Sequence, residues 1–295
     1  MALQHWLIII LLGIGWGMSF MFNAILLQEV GPFVVAAGRV AFGALGCWAY
    51  LLLRGVKGQL PYRTALALMA FGGLAYSAPF TFYALGQQHI ASGVAGIINA
   101  TTPALAVVVA HFWPGGERAT WLKSVGVLCG LSGIAVLSLP LLRSGEGSAV
   151  WAVMITLCAP VCYAFSVNVA RQFRAIEPVV LVSWALTGAT LCQIPVTLLF
   201  DEVPTGLSLQ ALAAFAAIGF VLTSAAFIIF YWVLPKVGPT NITLPTMIAP
   251  ASALFFGAWA LGEQLTRAHG VGLAVILVGL LLIDGRLFKS LAARA

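Results

Sequence analysis

Charge is nearly missing from this chain: 7% of its residues are Asp, Glu, Lys or Arg, against roughly 25% in ordinary soluble domains, while 62% are hydrophobic. That scarcity excludes a water-facing surface for most of the sequence and places it in a bilayer. All eight acidic residues lie in loops or at the ends of apolar runs. A buried carboxylate, the usual intramembrane proton carrier, is therefore absent, as are the clustered ionisable groups that an intramembrane aspartyl or metalloprotease requires. Uncoupled facilitation and a subtler coupling through Glu117, Glu263 or a histidine both stay open. No GxxxxGK[ST] loop occurs, which excludes ATP hydrolysis by that route. The five cysteines all fall inside apolar runs, against a disulfide framework. Cys158 and Cys162 share a helical face, but two thiols make a poor metal site, so neither metal nor cofactor is expected.

What is present is a series of uncharged stretches of about 20 residues, the length of a membrane-spanning helix. Ten begin near Trp6, Phe33, Thr64, Ala91, Thr120, Ala149, Val179, Gln210, Thr240 and Ala268, the second interrupted by Arg39 alone. The first lacks a basic segment before it and exceeds a signal-peptide core, so it reads as a retained span. Gaps of about 5 to 12 residues imply antiparallel neighbours in one bundle. The fold class predicted is an all-α polytopic membrane protein with ten transmembrane helices.

Basic residues collect in the cytoplasmic loops of membrane proteins, which tests both span number and orientation. Eleven of the fourteen (Arg54, Lys57, Arg63, Arg118, Lys123, Arg171, Arg174, Lys236, Arg286, Lys289 and Arg294) fall on the side of the termini; Arg143 and Arg267 fall opposite. Both termini are predicted to be cytoplasmic. The net charge of +6 follows from this sorting and from the lipid surface, and no nucleic-acid partner is expected.

Shifting the chain against itself by 146 to 148 residues aligns "WGMSF" at Trp16 with "YAFSV" at Tyr163, and Pro32 with Pro178. The same shift aligns Pro103 with Pro250, Glu117 with Glu263, Gly126 with Gly272 and Gly133 with Gly279. Each copy holds five spans, an odd number, so the second enters the membrane from the opposite side. The predicted domains are residues 1–143 and 144–295, two inverted repeats around a central cavity, with "LLRSGEGS" (141–148) as the seam. That plan recurs in secondary transporters, whose substrate site lies near the midplane between the halves.

Helical rise places Trp16, Tyr76, Asn99, Tyr163, Ser166, Ser224 and Phe227 near mid-membrane. Tyr76, Pro79, Phe80 and Tyr83 form one stripe, with Ser224, Phe227, Ile228 and Tyr231 as its repeat counterpart. Two readings fit these polar and aromatic groups: a cavity wall, or interhelical hydrogen-bonding and interfacial aromatic belts. Pro79, Pro103, Pro160, Pro245 and Pro250 interrupt the backbone ladder within spans and are hinge candidates. Arg39, about 10 Å from the end of its span, reads as an anchor for a substrate carboxylate, as a structural donor to loop carbonyls, or as a side chain snorkelling outward. Glu117 and Glu263, just before the fifth and tenth spans, are placed to cap those helices. The glycine-rich fifth and tenth spans read as packing or dimer contacts, or as the back of the bundle, and a monomer or weak homodimer is expected.

The stretches "WGMSFMFNAILLQEVGPFVVAAGRVAFGAL", "GVAGIINATTPALAVVVAHFWPGGERATWLKSVGVLCGLSGIAVL" and "TLPTMIAPASALFFGAWALGEQLTRAHGVGLAVILVGLLLI" resemble the EamA repeats of the drug/metabolite transporter superfamily. Within it the chain looks most like the YddG-type aromatic amino acid exporters of bacterial inner membranes. The resemblance implies a basket of ten helices, with spans one to four and six to nine around a central cavity and spans five and ten behind. It implies export of amino acids, aromatic ones included, or similar small metabolites. It also implies that Trp16, Tyr76, Phe80, Tyr83, Asn99 and Tyr163 lie on cavity-lining helices. A multidrug exporter of lipophilic cations is the alternative, since an aromatic box attracts cations, but the missing buried carboxylate counts against it; a non-transporting membrane protein is the remaining one.

Overall fold

The computed structural model describes residues 3–144, 147–241 and 244–284. Residues 145–146 of the expected seam, and Arg286, Lys289 and Arg294, lie outside the described residues. All regular structure among the described residues is helical. Ten apolar segments follow one another: α1 (Leu3–Leu26), α2 (Pro32–Leu53), α3 (Tyr62–Gln87), α4 (Ser92–Phe112) and α5 (Trp121–Ser144), then α6 (Gly147–Ala170), α7 (Pro178–Phe200), α8 (Leu209–Val237), α9 (Pro245–Leu261) and α10 (Arg267–Asp284).

Local chemistry sets the ends. Proline opens α2 at Pro32 and α7 at Pro178, where its missing N–H is no loss. The Val180 N–H donates to the Glu177 carboxylate at the head of α7, and the Ala211 N–H donates to Ser208 Oγ at the head of α8. Gly262, at φ +67°, closes α9 in the left-handed conformation that glycine adopts without strain. The ninth span differs from expectation. Its helix starts at Pro245, because the α8 helix continues as far as Asn241; α9 is 17 residues long.

Two spans change register at mid-membrane. In α3 the residues Gly73–Ser77 form a π-helical segment just before Pro79, whose ring forces open the ladder of the preceding turn. In α8 the residues Ala217–Ala225 do the same without a proline. The repeat offset carries the first segment into the second. α4 is cut in two, Ser92–Asn99 and Thr102–Phe112, with Pro103 in the first turn of the second piece.

Helix α1 packs on α9, α2 on α7 and α8, α3 on α6 and α7, α4 on α6 and α9, and α5 on α10. Exchanging the two sets of five carries α1–α9 into α6–α4 and α2–α8 into α7–α3, and leaves α2–α7 and α5–α10 unchanged. Glycines permit the closest approaches. A Cβ on Gly126 would stand 2.6 Å from the Gly279 carbonyl oxygen and one on Gly279 2.6 Å from that of Gly126, while Gly133 and Gly272 face each other likewise at 2.8 and 2.9 Å. The repeat offset interchanges these two contacts. Helices α5 and α10 therefore spend their glycines on each other.

Candidate functional site

Aromatic side chains from both sets of five helices converge at the centre. Phe227 of α8 lies 6.1 Å from Trp16 of α1 and 5.4 Å, edge to face, from Tyr76 of α3. Tyr76 is 6.1 Å from Phe80, and Tyr83 is 6.3 Å from Tyr163 of α6 and 5.1 Å from Phe20. Tyr76, Phe80 and Tyr83 are buried, and Trp16, Tyr163 and Phe227 are half-buried. The Tyr76–Phe80–Tyr83 stripe thus faces inward, against residues contributed by α6 and α8.

Arg39 sits in this cluster with 7% of its surface exposed. Its guanidinium carbon lies 3.8 Å above the centre of the Phe80 ring, an attraction worth about 2 kcal/mol once desolvated. Its Nε–H donates to Thr223 Oγ1 at 3.3 Å, and Thr223 in turn donates to the Ile218 carbonyl five residues back in the π-helical segment. No carboxylate among the described residues comes within 4 Å of Arg39; the ion pair described joins Lys123 to Glu117 on the surface. The loop-carbonyl reading of Arg39 is overturned, since its protein acceptor is a hydroxyl on α8.

Most buried polar groups in the bundle are paired. Ser77 donates to Gln193 Oε1 at 2.7 Å, and Thr81 to the Ser77 carbonyl at 2.9 Å. Asn23 donates to Gln87, which donates to the Phe20 carbonyl. The central cluster is different. The Trp16 indole N–H, the Tyr76 and Tyr163 hydroxyls and the two terminal nitrogens of Arg39 have no hydrogen-bond partner among the described residues. They are not among the fully buried side-chain atoms left without a partner, which are Asn23 Oδ1, Ser92 Oγ, Ser138 Oγ and Asn168 Oδ1 among the described residues. They open instead on space between the helices, where something other than protein can accept from them.

Asn99 ends the first piece of α4. Its Oδ1 accepts from the Tyr83 hydroxyl at 2.6 Å and its backbone carbonyl from the Thr102 hydroxyl at 2.7 Å, so it ties the helix break to the cluster. Ser166 and Ser224 do not join it. The Ser166 hydroxyl donates to the Cys162 carbonyl of its own helix, and the Ser224 hydroxyl donates to Cys47 Sγ on α2, beside Gly46. Their small size serves helix packing. Among the prolines, Pro79 and Pro103 adjoin the π segment and the break, and Pro160 and Pro250 lie inside continuous helices. Pro245 is corrected to a helix start, where no ladder is interrupted. Phe20, Thr223 and Phe230, 5.6 Å from Trp16, belong to the site without having been foreseen. Only Thr223, adjoining the aligned Ser224, carried any signal.

At the basic-poor end, three carboxylates cross between the two sets of helices onto helix N-termini. Glu29 accepts from the Ser208 N–H and hydroxyl at 2.5 and 2.6 Å. Asp201 accepts from the Phe33 and Val34 N–H groups at 2.8 and 2.9 Å, and Glu263 from Ser92 and Gly93 at 2.6 and 3.0 Å. Glu263 therefore caps α4 rather than α10, and Glu117 accepts from Lys123. The Ser208 hydroxyl, followed by its N–H, holds the Glu29 carboxyl below the usual range. Glycine makes room for two of these carboxylates: a Cβ at Gly31 would strike that of Asp201, and one at Gly257 that of Glu263.

Relatives share this length and architecture. The chain is similar to the Bacillus subtilis protein described as uncharacterized transporter YoaV, 23% identical over 90% of this chain and 91% of that one. It is similar to the Escherichia coli K12 protein described as uncharacterized inner membrane transporter YedA, 24% identical over 91% and 86%. A solved chain described as "Crystal structure of protein" superposes with a TM-score of 0.68 at 21% identity, over 95% of this chain and 97% of that one, which speaks for the fold. Residues 5–139 and 150–284 each match the EamA-like transporter family. Two matched segments on a ten-helix membrane bundle, with side chains of both meeting at its centre, make this chain a member of the EamA-like transporter family, within the drug/metabolite transporter superfamily.

Proposed function

We propose that this transporter is a secondary exporter of amino acids, aromatic ones included, and of related small metabolites, working by alternating access across the inner membrane with both termini cytoplasmic. The observation that carries the reading is the set of unpaired donors on Trp16, Tyr76, Tyr163 and Arg39, framed by aromatic rings at the junction of the two sets of helices. Ring faces suit the side chain of an aromatic substrate, and the donors suit its polar head. The register changes in α3 and α8 and the break in α4 put bendable backbone at the same depth, as alternation requires. The likeness to the YddG-type aromatic exporters supports the substrate class. The name of the E. coli relative, an inner membrane transporter, supports the location.

The second reading, export of lipophilic cations, draws on the same aromatic rings. Arg39 opposes it, because a guanidinium without a counter-charge repels a cation.

The test is uptake into proteoliposomes preloaded with candidate amino acids. Trp16→Ala and Tyr76→Ala are each expected to lower the rate at least tenfold while leaving the protein monodisperse in detergent. Unchanged transport in both would refute the site.

A further inference from the structure

We infer that a carboxylate is the obligatory handle of the substrate, gripped by the terminal nitrogens of Arg39, and that an amine is dispensable. The inference rests on the reading of the central cluster as the substrate site, and narrows what that site accepts to small monocarboxylates with a flat apolar body. Amino acids qualify through their carboxylate alone.

The argument starts from an imbalance of charge. Arg39 is the single charged residue well inside a span, and it is more than nine-tenths buried. A guanidinium offers five N–H donors in a planar fork that matches the two oxygens of a carboxylate. Thr223 takes only the Nε donor, and Phe80 supports the flat face, which leaves the terminal nitrogens to an acceptor that the described protein residues do not provide. Phe80 and Thr223 thus hold the fork in place rather than neutralise it. The Tyr163 phenol belongs to the same cluster through its ring contact with Tyr83 and has no hydrogen-bond partner among the described residues, so it is a second candidate donor to an anion held there.

The opposite charge finds nothing comparable. An α-ammonium would need acceptors, preferably a carboxylate. All eight acidic residues lie outside the middle of the spans, and the three that cross between helix sets are engaged at the basic-poor end. The Asn99 amide oxygen is neutral and already accepts from the Tyr83 hydroxyl. The cluster therefore reads the anionic end of a substrate and leaves its amine largely unread.

The experiment uses the full chain in proteoliposomes with labelled phenylalanine in counterflow, and three competitors sharing one ring. These are unlabelled phenylalanine, 3-phenylpropanoate (carboxylate, no amine) and 2-phenylethylamine (amine, no carboxylate). Thermal stabilisation of the purified protein by each compound provides an independent binding readout. 3-Phenylpropanoate is expected to bind within about threefold of phenylalanine and 2-phenylethylamine at least 30-fold more weakly. Arg39→Gln should weaken 3-phenylpropanoate at least tenfold, with Arg39→Lys in between. If 2-phenylethylamine binds as well as the acid, or if folded Arg39→Gln retains wild-type affinity for it, the handle is wrong while an amino acid transporter stands. Failure of Arg39→Gln to fold leaves the wild-type series to decide. Arg39-dependent binding of 3-phenylpropanoate without phenylalanine flux would sink the amino acid reading and uphold the handle, and no binding by any of the compounds would sink both.

Discussion

At the scale of single residues, the bundle separates polar groups that hold it together from polar groups left for something else. Gln193 accepts the Ser77 hydroxyl from α3, and Thr81 in α3 and Ser183, Thr187 and Thr190 in α7 return their hydroxyls to carbonyls one turn back in their own helices. The Trp16 indole N–H, the Tyr76 and Tyr163 hydroxyls and the terminal nitrogens of Arg39 do neither, and none of them is among the fully buried atoms left without a partner. Arg39 announces itself in sequence as a charge inside an apolar run. Nothing in the sequence shows that Phe80 and Thr223, 41 and 184 positions away, support it. Glu29 yields a pH prediction. Hydrogen bonds from Ser208 favour its ionised form and put its folded value below the ordinary 4.5. A carboxyl so lowered contributes stability above pH 4.5 and loses it as the pH falls through the folded value. The gap in thermal midpoint between wild type and Glu29→Gln should be widest above pH 4.5 and close on acidification. Because the carboxylate is exposed, the gap should also shrink at high salt. Unfolding scans in detergent across that range measure both.

At the scale of elements, helix existence was legible and helix irregularity only in part. Runs of about 20 apolar residues announce spans whatever their neighbours do. Pro79 and Pro103 marked the irregular places in α3 and α4, but α8 changes register with no proline to betray it, and the repeat alignment is what links its segment to that of α3. Caps were harder still. Glu263 stands immediately before α10, and local rules assign it there; the tertiary structure delivers it to the N-terminus of α4, 171 positions back in the chain. Its loss should be felt as the loss of a cap. Glu263→Gln is expected to cost about 1 kcal/mol in detergent unfolding, whereas Glu202→Gln, on an exposed neighbouring loop, should stay within about 0.5 kcal/mol. Equal effects would mean that the contact with α4 carries no energy.

At the scale of the whole molecule, the span count follows from hydropathy, which acts over tens of residues, and the proposed sidedness of the loops rests on the distribution of Lys and Arg. The meeting of the two sets of helices at one cluster depends on pairwise contacts that no periodicity encodes, so the sequence placed residues at a depth without placing them together. Ser224 and Ser166 show the limit, since nothing in the sequence sends their hydroxyls to Cys47 of α2 and to the Cys162 carbonyl, respectively. The crosswise glycine contact of α5 and α10 has a mechanical consequence. If the halves rock against each other, two contacts that exchange when they swap roles keep the same spacing before and after, which would make this seam a fulcrum. The seam is also tight: a Cβ on Gly279 would stand 2.6 Å from the Gly126 carbonyl oxygen, whereas one on Gly270 of the same helix would meet nothing within 4 Å. Gly279→Ala is therefore expected to cost about 1–3 kcal/mol in detergent unfolding, and Gly270→Ala to cost nothing. Equal effects would mean that the two helices are free to part.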